Sequence, residues 1–164
     1  MVFALFGSTC SGKTSVAREL HRRHTIPVRH CGEVVKAIAA AQGIKVSGIN
    51  YEHHAKIDSE TRRMAETAEG ELLIEGTFLD VVLHGVSEVR MIKLTCSDLE
   101  RMSRYLRRGG TEDEFMRRDA LDNNLRLELY SGRSARADFM EVDTKELSLD
   151  QVSDATWRRF KEPL

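Results

Sequence analysis

Proline is scarce: two residues in 164, at positions 27 and 163, so no proline-rich linker divides the chain. Cysteine is limited to Cys10, Cys31 and Cys96. An odd number without paired spacing excludes a disulfide framework and points to free thiols in a reducing compartment. No apolar run nears the ~20 residues that a membrane-spanning helix needs. The first apolar stretch, Val2–Phe6, is too short for a signal-peptide core and no charged leader precedes it. A net charge of −1 offers no cationic excess, which argues against nucleic acid and anionic membrane as partners. Repeats and low-complexity tracts are missing too. These absences leave a single cytoplasmic domain over residues 1–164, with a hydrophobic content of 41% that suits a globular chain.

What is present starts at residue 7. GSTCSGKT (7–14) follows VFALF (2–6), and its spacing Gly-x-x-x-x-Gly-Lys-Thr is the phosphate-binding P-loop pattern. A buried strand must deliver such a loop and a helix must leave it; both signals are here. Gly7, Ser11, Gly12, Lys13, Thr14 and Ser15 are therefore the nucleotide-binding candidates. Backbone N–H groups freed by glycine cradle phosphates at a helix N-terminus, where the macrodipole favours negative charge. Lys13 reaches the β- and γ-phosphates, and the Thr14 hydroxyl can ligate Mg²⁺. Glu75, at the end of LLIEG (72–76), either holds the same Mg²⁺, directly or through water, or is an ordinary loop carboxylate.

Periodicity orders the remainder. IPVRH (26–30), LLIEG (72–76), VRMIKLTC (89–96) and FMEVD (139–143) read as strands. Helices are expected from Ser11 to about His24, from Glu33 to about Gln42 with Gly43 as its stop, and over about Tyr51 to Glu69. Ser97 with Glu100, Thr111 with Glu114, and Ser148 with Gln151 carry capping-box spacing. The first opens a helix that Gly109-Gly110 ends, the second a helix to about Tyr130, the third a final helix with Trp157 and Phe160 as core anchors. Strands alternating with helices give an α/β class: a mostly parallel five-stranded sheet covered on both faces.

Of 18 arginines, nine fall between 101 and 136, on the hairpin hinged at Gly109-Gly110. Phosphoryl transfer between two anions must overcome repulsion of about 4 kcal/mol per charge pair at ~4 Å and an effective dielectric near 20. A mobile, arginine-rich helical lid closing over the phosphates would offset that repulsion and exclude water. The alternative is a solvated charged face, since Glu112, Asp113, Glu114, Asp119, Asp122 and Glu128 lie among the arginines. Asp119 or Asp122 would then hold arginines in place. Adjacent His53-His54 point apart on a helix, and the other histidines lack ligand spacing, which argues against a histidine metal site.

From Val2 to about Val152 the chain resembles the nucleoside monophosphate kinases, most of all the cytidylate kinases. HCGEVVK (30–36) resembles their Ser-Ala-Gly-Asp-x-x-Arg segment, and AKIDSETRRMA (55–65) the helix before the third strand. IEG (74–76) looks like their acidic-Gly-Arg turn. DLERMSRYLRR (98–108) and RDALDNNLR (118–126) are similar to the entry and the Arg-Asp-x-x-Asp pattern of the lid. MEVDTKELSLDQV (140–152) resembles the last strand and its Asp-Thr-x-x-Leu-Ser tail.

The resemblance implies the three-layer P-loop kinase fold, with an acceptor-binding segment near 30–70 and a lid near 101–130. It implies ATP with Mg²⁺ as donor, a small-molecule nucleotide as acceptor, and direct in-line transfer. Lys13, Arg104, Arg118 and Arg126 become the catalytic candidates. Gly32, Lys36, Glu75 and Gly76 become the acceptor-binding candidates, and Thr14 and Glu75 the metal ligands.

Three departures touch only the acceptor and the lid. Thr77 stands where the family has an acceptor-contacting arginine. Lys36 keeps a charge but loses the bidentate fork. Arg126 falls one residue later than in bacterial cytidylate kinases, a rotation of ~100° on a helix. Asp80 and Tyr51 either reshape the acceptor pocket or serve as a helix-start carboxylate and a packing ring. The expected activity is phosphoryl transfer to a nucleoside monophosphate resembling CMP or dCMP. The alternatives are another acceptor (a small hydroxyl metabolite or a nucleic-acid 5′ end) and a nucleotide-binding regulator without turnover. A guanine-reading Asn-Lys-x-Asp segment does not occur.

Overall fold

The structure, a computed structural model, describes residues 1–162. Five strands form one sheet: β1 (Val2–Phe6), β2 (Val28–His30), β3 (Leu72–Gly76), β4 (Val89–Thr95) and β5 (Met140–Asp143). Their order is β2-β3-β1-β4-β5, and every neighbouring pair is parallel. Among the described residues seven α-helices accompany them, six between strands and one after the last: α1 (Lys13–His24), α2 (Cys31–Ala41), α3 (Tyr51–Glu66), α4 (Leu79–Val82), α5 (Asp98–Arg107), α6 (Glu112–Tyr130) and α7 (Leu149–Lys161).

β1 is buried at all five residues because helices cover both faces of the sheet. Successive side chains point to opposite faces. Phe3 and Leu5 meet Val16 and Leu20 of α1 and Val152 and Phe160 of α7. Val2, Ala4 and Phe6 meet α4, Ala65 of α3 and Tyr130 of α6. The expected anchors of α7 do sit on Phe3: the Phe160 ring centroid lies 4.8 Å away and that of Trp157 5.8 Å.

Local boundaries differ from expectation for physical reasons. α1 starts at Lys13 rather than Ser11, because Gly12 is left-handed at φ 102° and cannot join the helix. Both Thr111/Glu114 and Ser148/Gln151 form complete capping boxes. At Ser97 only half a box forms: its hydroxyl accepts from the Glu100 N–H, while the Glu100 carboxylate pairs with Arg104 and Arg107. Ion pairing there outcompetes the return hydrogen bond. Gly110 packs under a ring, since a Cβ would stand 2.1 Å from Tyr105 Cε1.

This topology positions the site. β1 connects leftward to β2 while β3 connects rightward to β4, so the chain parts at the carboxyl ends of β1 and β3. Open α/β sheets bind ligands in that crevice. Register pairs Leu5 with Glu75 and Phe6 with Gly76, which sets the loop after β1 beside the end of β3.

Candidate active site

The loop between β1 and α1 is shaped by backbone constraints. Gly7 has φ 141°, and a Cβ there would lie 2.3 Å from the Leu94 carbonyl oxygen of β4. No side chain fits. Cys10 adopts a left-handed φ of 64°, an uncommon conformation for a residue with a Cβ. The first turn of α1 has neither a capping side chain nor an acidic residue. Its N–H groups are thereby left open to an external anion. Ser11 is buried, and its Oγ has no hydrogen-bond partner among the described residues.

Lys13 Nζ donates to the carbonyls of Gly7 at 2.8 Å and Ser8 at 2.9 Å. Burial lowers its pKa from the ordinary 10.5, opposed by the charges of Glu75 and Asp122. Thr14 Oγ1 donates to Glu75 Oε1 at 3.2 Å. Glu75 is 3% exposed and its same oxygen faces His30 Nδ1 at 3.2 Å. Thr14 and Glu75 together present hard oxygen donors of the kind Mg²⁺ takes. The orphaned Ser11 hydroxyl, the bare helix terminus and this oxygen pair all fit a Mg²⁺-bound phosphate chain.

Lys13, Thr14, Ser15 and Glu75 line an open cleft of about 420 Å³, with Lys36 and Arg108 at its rim. Gly32 borders this cleft and also an inner cavity of about 80 Å³. Nothing lies within 4 Å of where a Gly32 Cβ would be, so packing does not demand glycine there. Gly76 is tighter, with Leu79 Cδ2 at 3.2 Å.

The α5–α6 hairpin lies on the loop. Thr9 Oγ1 donates to Asp122 at 2.7 Å. Arg101, 4% exposed, donates to the Thr9 carbonyl at 3.1 Å, to Asp119 at 2.8 Å and to Asp98 at 2.8 Å. Asp119 and Asp122 do hold arginines, the latter pairing with Arg118 at 3.6 Å. Arg104 donates to the Thr144 hydroxyl at 2.9 Å and carbonyl at 2.6 Å, beside Gly12.

Arg104 and Arg118 thus approach the loop, and Arg126 lines a neighbouring cleft together with Gly7 and Ser8. Its guanidinium is paired with Asp80, at 2.6 Å, a carboxylate buried in the first turn of α4. Tyr51 lies exposed at the start of α3, outside the cavity walls. Sequence reasoning left four contacts unassigned: Thr9, Arg101, His30 and Thr144. The last two sit inside segments that carry the family resemblance, and Arg101 is one of the nine clustered arginines. Thr9 gave no signal.

The inner cavity is walled by aliphatic side chains such as Val35, Ile57 and Leu121. Arg118, Asp122 and Tyr130 stand on its α6 side, and Asp58 lies on its α3 side. Tyr130 Oη donates to Asp58 Oδ2 at 2.6 Å. Burial raises the pKa of both groups. Cys31 is likewise pushed up to about 11 by burial, so its thiol stays protonated beside Thr61 Oγ1 at 3.6 Å.

A parallel 2-3-1-4-5 sheet, a loop built on Gly7 and Lys13, and a helical hairpin over it define a P-loop kinase fold. Residues 4–126 match the AAA domain family, and the chain belongs to that family. A cytidylate kinase from Pyrobaculum neutrophilum is 27% identical over 146 residues, covering 79% of this chain and 75% of that protein. A gluconokinase structure from Sinorhizobium meliloti superposes with a TM-score of 0.67 at 14% identity, covering 97% of this chain and 90% of its own. A shikimate kinase structure from Aquifex aeolicus gives 0.57 at 19% identity, covering 96% and 94%. No helix of the described residues is long and apolar enough to cross a membrane.

Proposed function

We propose that the protein is an ATP-dependent phosphotransferase that moves the γ-phosphoryl group to a nucleoside monophosphate resembling CMP or dCMP. One observation carries the reading: the phosphate cleft and a mostly apolar pocket meet at Gly32, with Arg118 and Lys13 close by. Such a layout sets a donor phosphate and an acceptor oxygen near each other, the positioning on which phosphoryl transfer depends. Lys13 and the amides of residues 7–15 bind the donor phosphates. Thr14 and Glu75 would hold Mg²⁺, which neutralises charge on the transferred group. Arg118 stabilises charge between donor and acceptor, and Asp122 orients it. Arg104, fixed by Thr144, flanks the donor site beside Gly12. The hairpin keeps water out.

A second reading has its own support. The inner cavity is small beside the phosphate cleft, about 80 Å³ against 420 Å³, and Thr77 lines it where an arginine would grip an acceptor phosphate. Both features suit a compact hydroxyl acceptor. Coupled ADP release over a panel of nucleoside monophosphates, sugar acids, small alcohols and DNA 5′ ends discriminates. Preference for CMP or dCMP supports the first reading, and preference for a non-nucleotide alcohol replaces it. Clear ATP binding with no turnover of any acceptor would make the protein a nucleotide-binding regulator.

A further inference from the structure

We infer that His30 is a positioning residue for the metal-side carboxylate: its Nδ1–H fixes Glu75 so that the cleft binds ATP more tightly with Mg²⁺ than without it. The inference rests on the donor half of the reading above and is independent of which acceptor is used.

Strand register brings the two side chains together. His30 ends β2, and Glu75 lies directly across from it on the parallel strand β3. Both are largely shielded, with side-chain exposures of 18% and 4%. Glu75 Oε1 takes two contacts, the Thr14 hydroxyl at 3.2 Å and His30 Nδ1 at 3.2 Å. A carboxylate opposite makes Nδ1 the nitrogen that carries the proton. The other carboxylate near the ring, Glu33, is engaged by Arg18. Among the described residues nothing donates to Glu75 Oε2. In the segment that resembles Ser-Ala-Gly-Asp-x-x-Arg, this histidine stands in the place of the serine, so the contact is a departure of this chain.

The two carboxylate oxygens divide the work. Thr14 can offer a hydroxyl lone pair to a metal while its proton stays on Glu75 Oε1. His30 gives that oxygen a second proton, which stops the carboxylate turning about its last torsion, a broad and weakly held one in glutamate. Oε2 then remains for the cation or one of its waters. Glu75 and Thr14 line the phosphate cleft and His30 does not, so the ring acts through the carboxylate rather than on the nucleotide. Loss of an outer partner that orients a ligating group costs roughly 10- to 100-fold in metal affinity.

The test is calorimetric titration of ATP into the wild-type protein, His30→Gln and His30→Asn, each in Mg²⁺ and in EDTA. An asparagine amide nitrogen reaches the place of Nδ1, whereas that of glutamine reaches the place of Nε2. His30→Gln should weaken ATP binding about tenfold in Mg²⁺ and leave it unchanged in EDTA, where Lys13 and the loop amides act alone. His30→Asn should keep the wild-type preference for Mg²⁺. In a Glu75→Ala background, His30→Gln should have no further effect. A ring that only ties β2 to β3 would cost affinity equally in both media or in neither. Either result overturns the inference, as does failure of asparagine to rescue. Should His30→Gln not fold, His30→Ser, too short to reach Glu75, takes its place. Absence of CMP turnover would remove the acceptor reading and leave this inference standing. No ATP binding by the wild-type protein in either medium would remove both.

Discussion

Thr9 Oγ1 and Asp122 Oδ2 lie 2.7 Å apart although 113 residues separate them, joining the phosphate loop to the middle of α6. The hairpin is thus latched to the element it is expected to cover. Thr9→Val removes the donor and strands a carboxylate oxygen. Amide exchange in the first turns of α6 should accelerate about tenfold, the equivalent of one hydrogen bond to a charged group. Unchanged exchange would show that Arg101 alone holds the hairpin down.

Lys13 donates to two loop carbonyls and is the cation at the centre of the cleft. Lys13→Ala should lower phosphoryl transfer at least ~100-fold, as loss of a positioned charge-stabilising donor does. Near-normal ADP release by this variant would contradict the assignment of the loop.

Arg118 touches the hairpin side of the inner cavity and pairs with Asp122. Arg118→Ala should reduce kcat more than it weakens ATP binding, because its charge is expected to matter while the phosphoryl group is in flight. The opposite split, with ATP affinity lost and kcat kept, would make the hairpin a binding surface only.

At Gly7 the obstacle is steric. A methyl group would stand 2.3 Å from the Leu94 carbonyl, at φ 141°. Gly7→Ala should destabilise the fold by about 2–3 kcal/mol, since strand β4 must move to admit it. Chemical denaturation reads this directly, and a wild-type midpoint would mean that the loop yields instead.

Glu19 gives the expected pH dependence. Hydrogen bonds from Arg22 and Arg23 lower its carboxyl from 4.5 to about 2. A folded pKa below the unfolded one stabilises the fold above about 4.5, and the benefit fades as pH falls towards about 2. Denaturation midpoints of wild type and Glu19→Gln should therefore differ near neutrality and converge in acid. A gap that stays constant would show that the arginines do not discriminate the ionised form.

The fold was largely legible because its signals are local. Gly-Lys-Thr behind five apolar residues, two complete capping boxes and the Gly109-Gly110 break each act within a few positions of themselves. The candidate site was legible where a motif supplied it, at Lys13 and Thr14, while Glu75 stayed open between metal ligand and loop carboxylate until its contact with Thr14 was seen. It was illegible where partners are remote in sequence. Arg126, which the family resemblance gives as an arginine bridging donor and acceptor, is paired with Asp80, 46 residues away. Nothing in the spacing of RDALDNNLR shows that a buried carboxylate after β3 will compete for it. Likewise no local pattern relates Thr9 to Asp122, or Arg104 to Thr144.

Arg101 sits on one side of the glycine hinge, with Asp98 on its own helix and Asp119 across the hinge on α6. If α6 swings outward, that guanidinium surrenders one counterion and retains the other. A buried cation stripped of every partner would oppose opening by several kcal/mol; one that keeps a carboxylate throughout does not. Should the hairpin open at its glycines, the ion pairing at Arg101 would make it a door with a light spring rather than a welded cover.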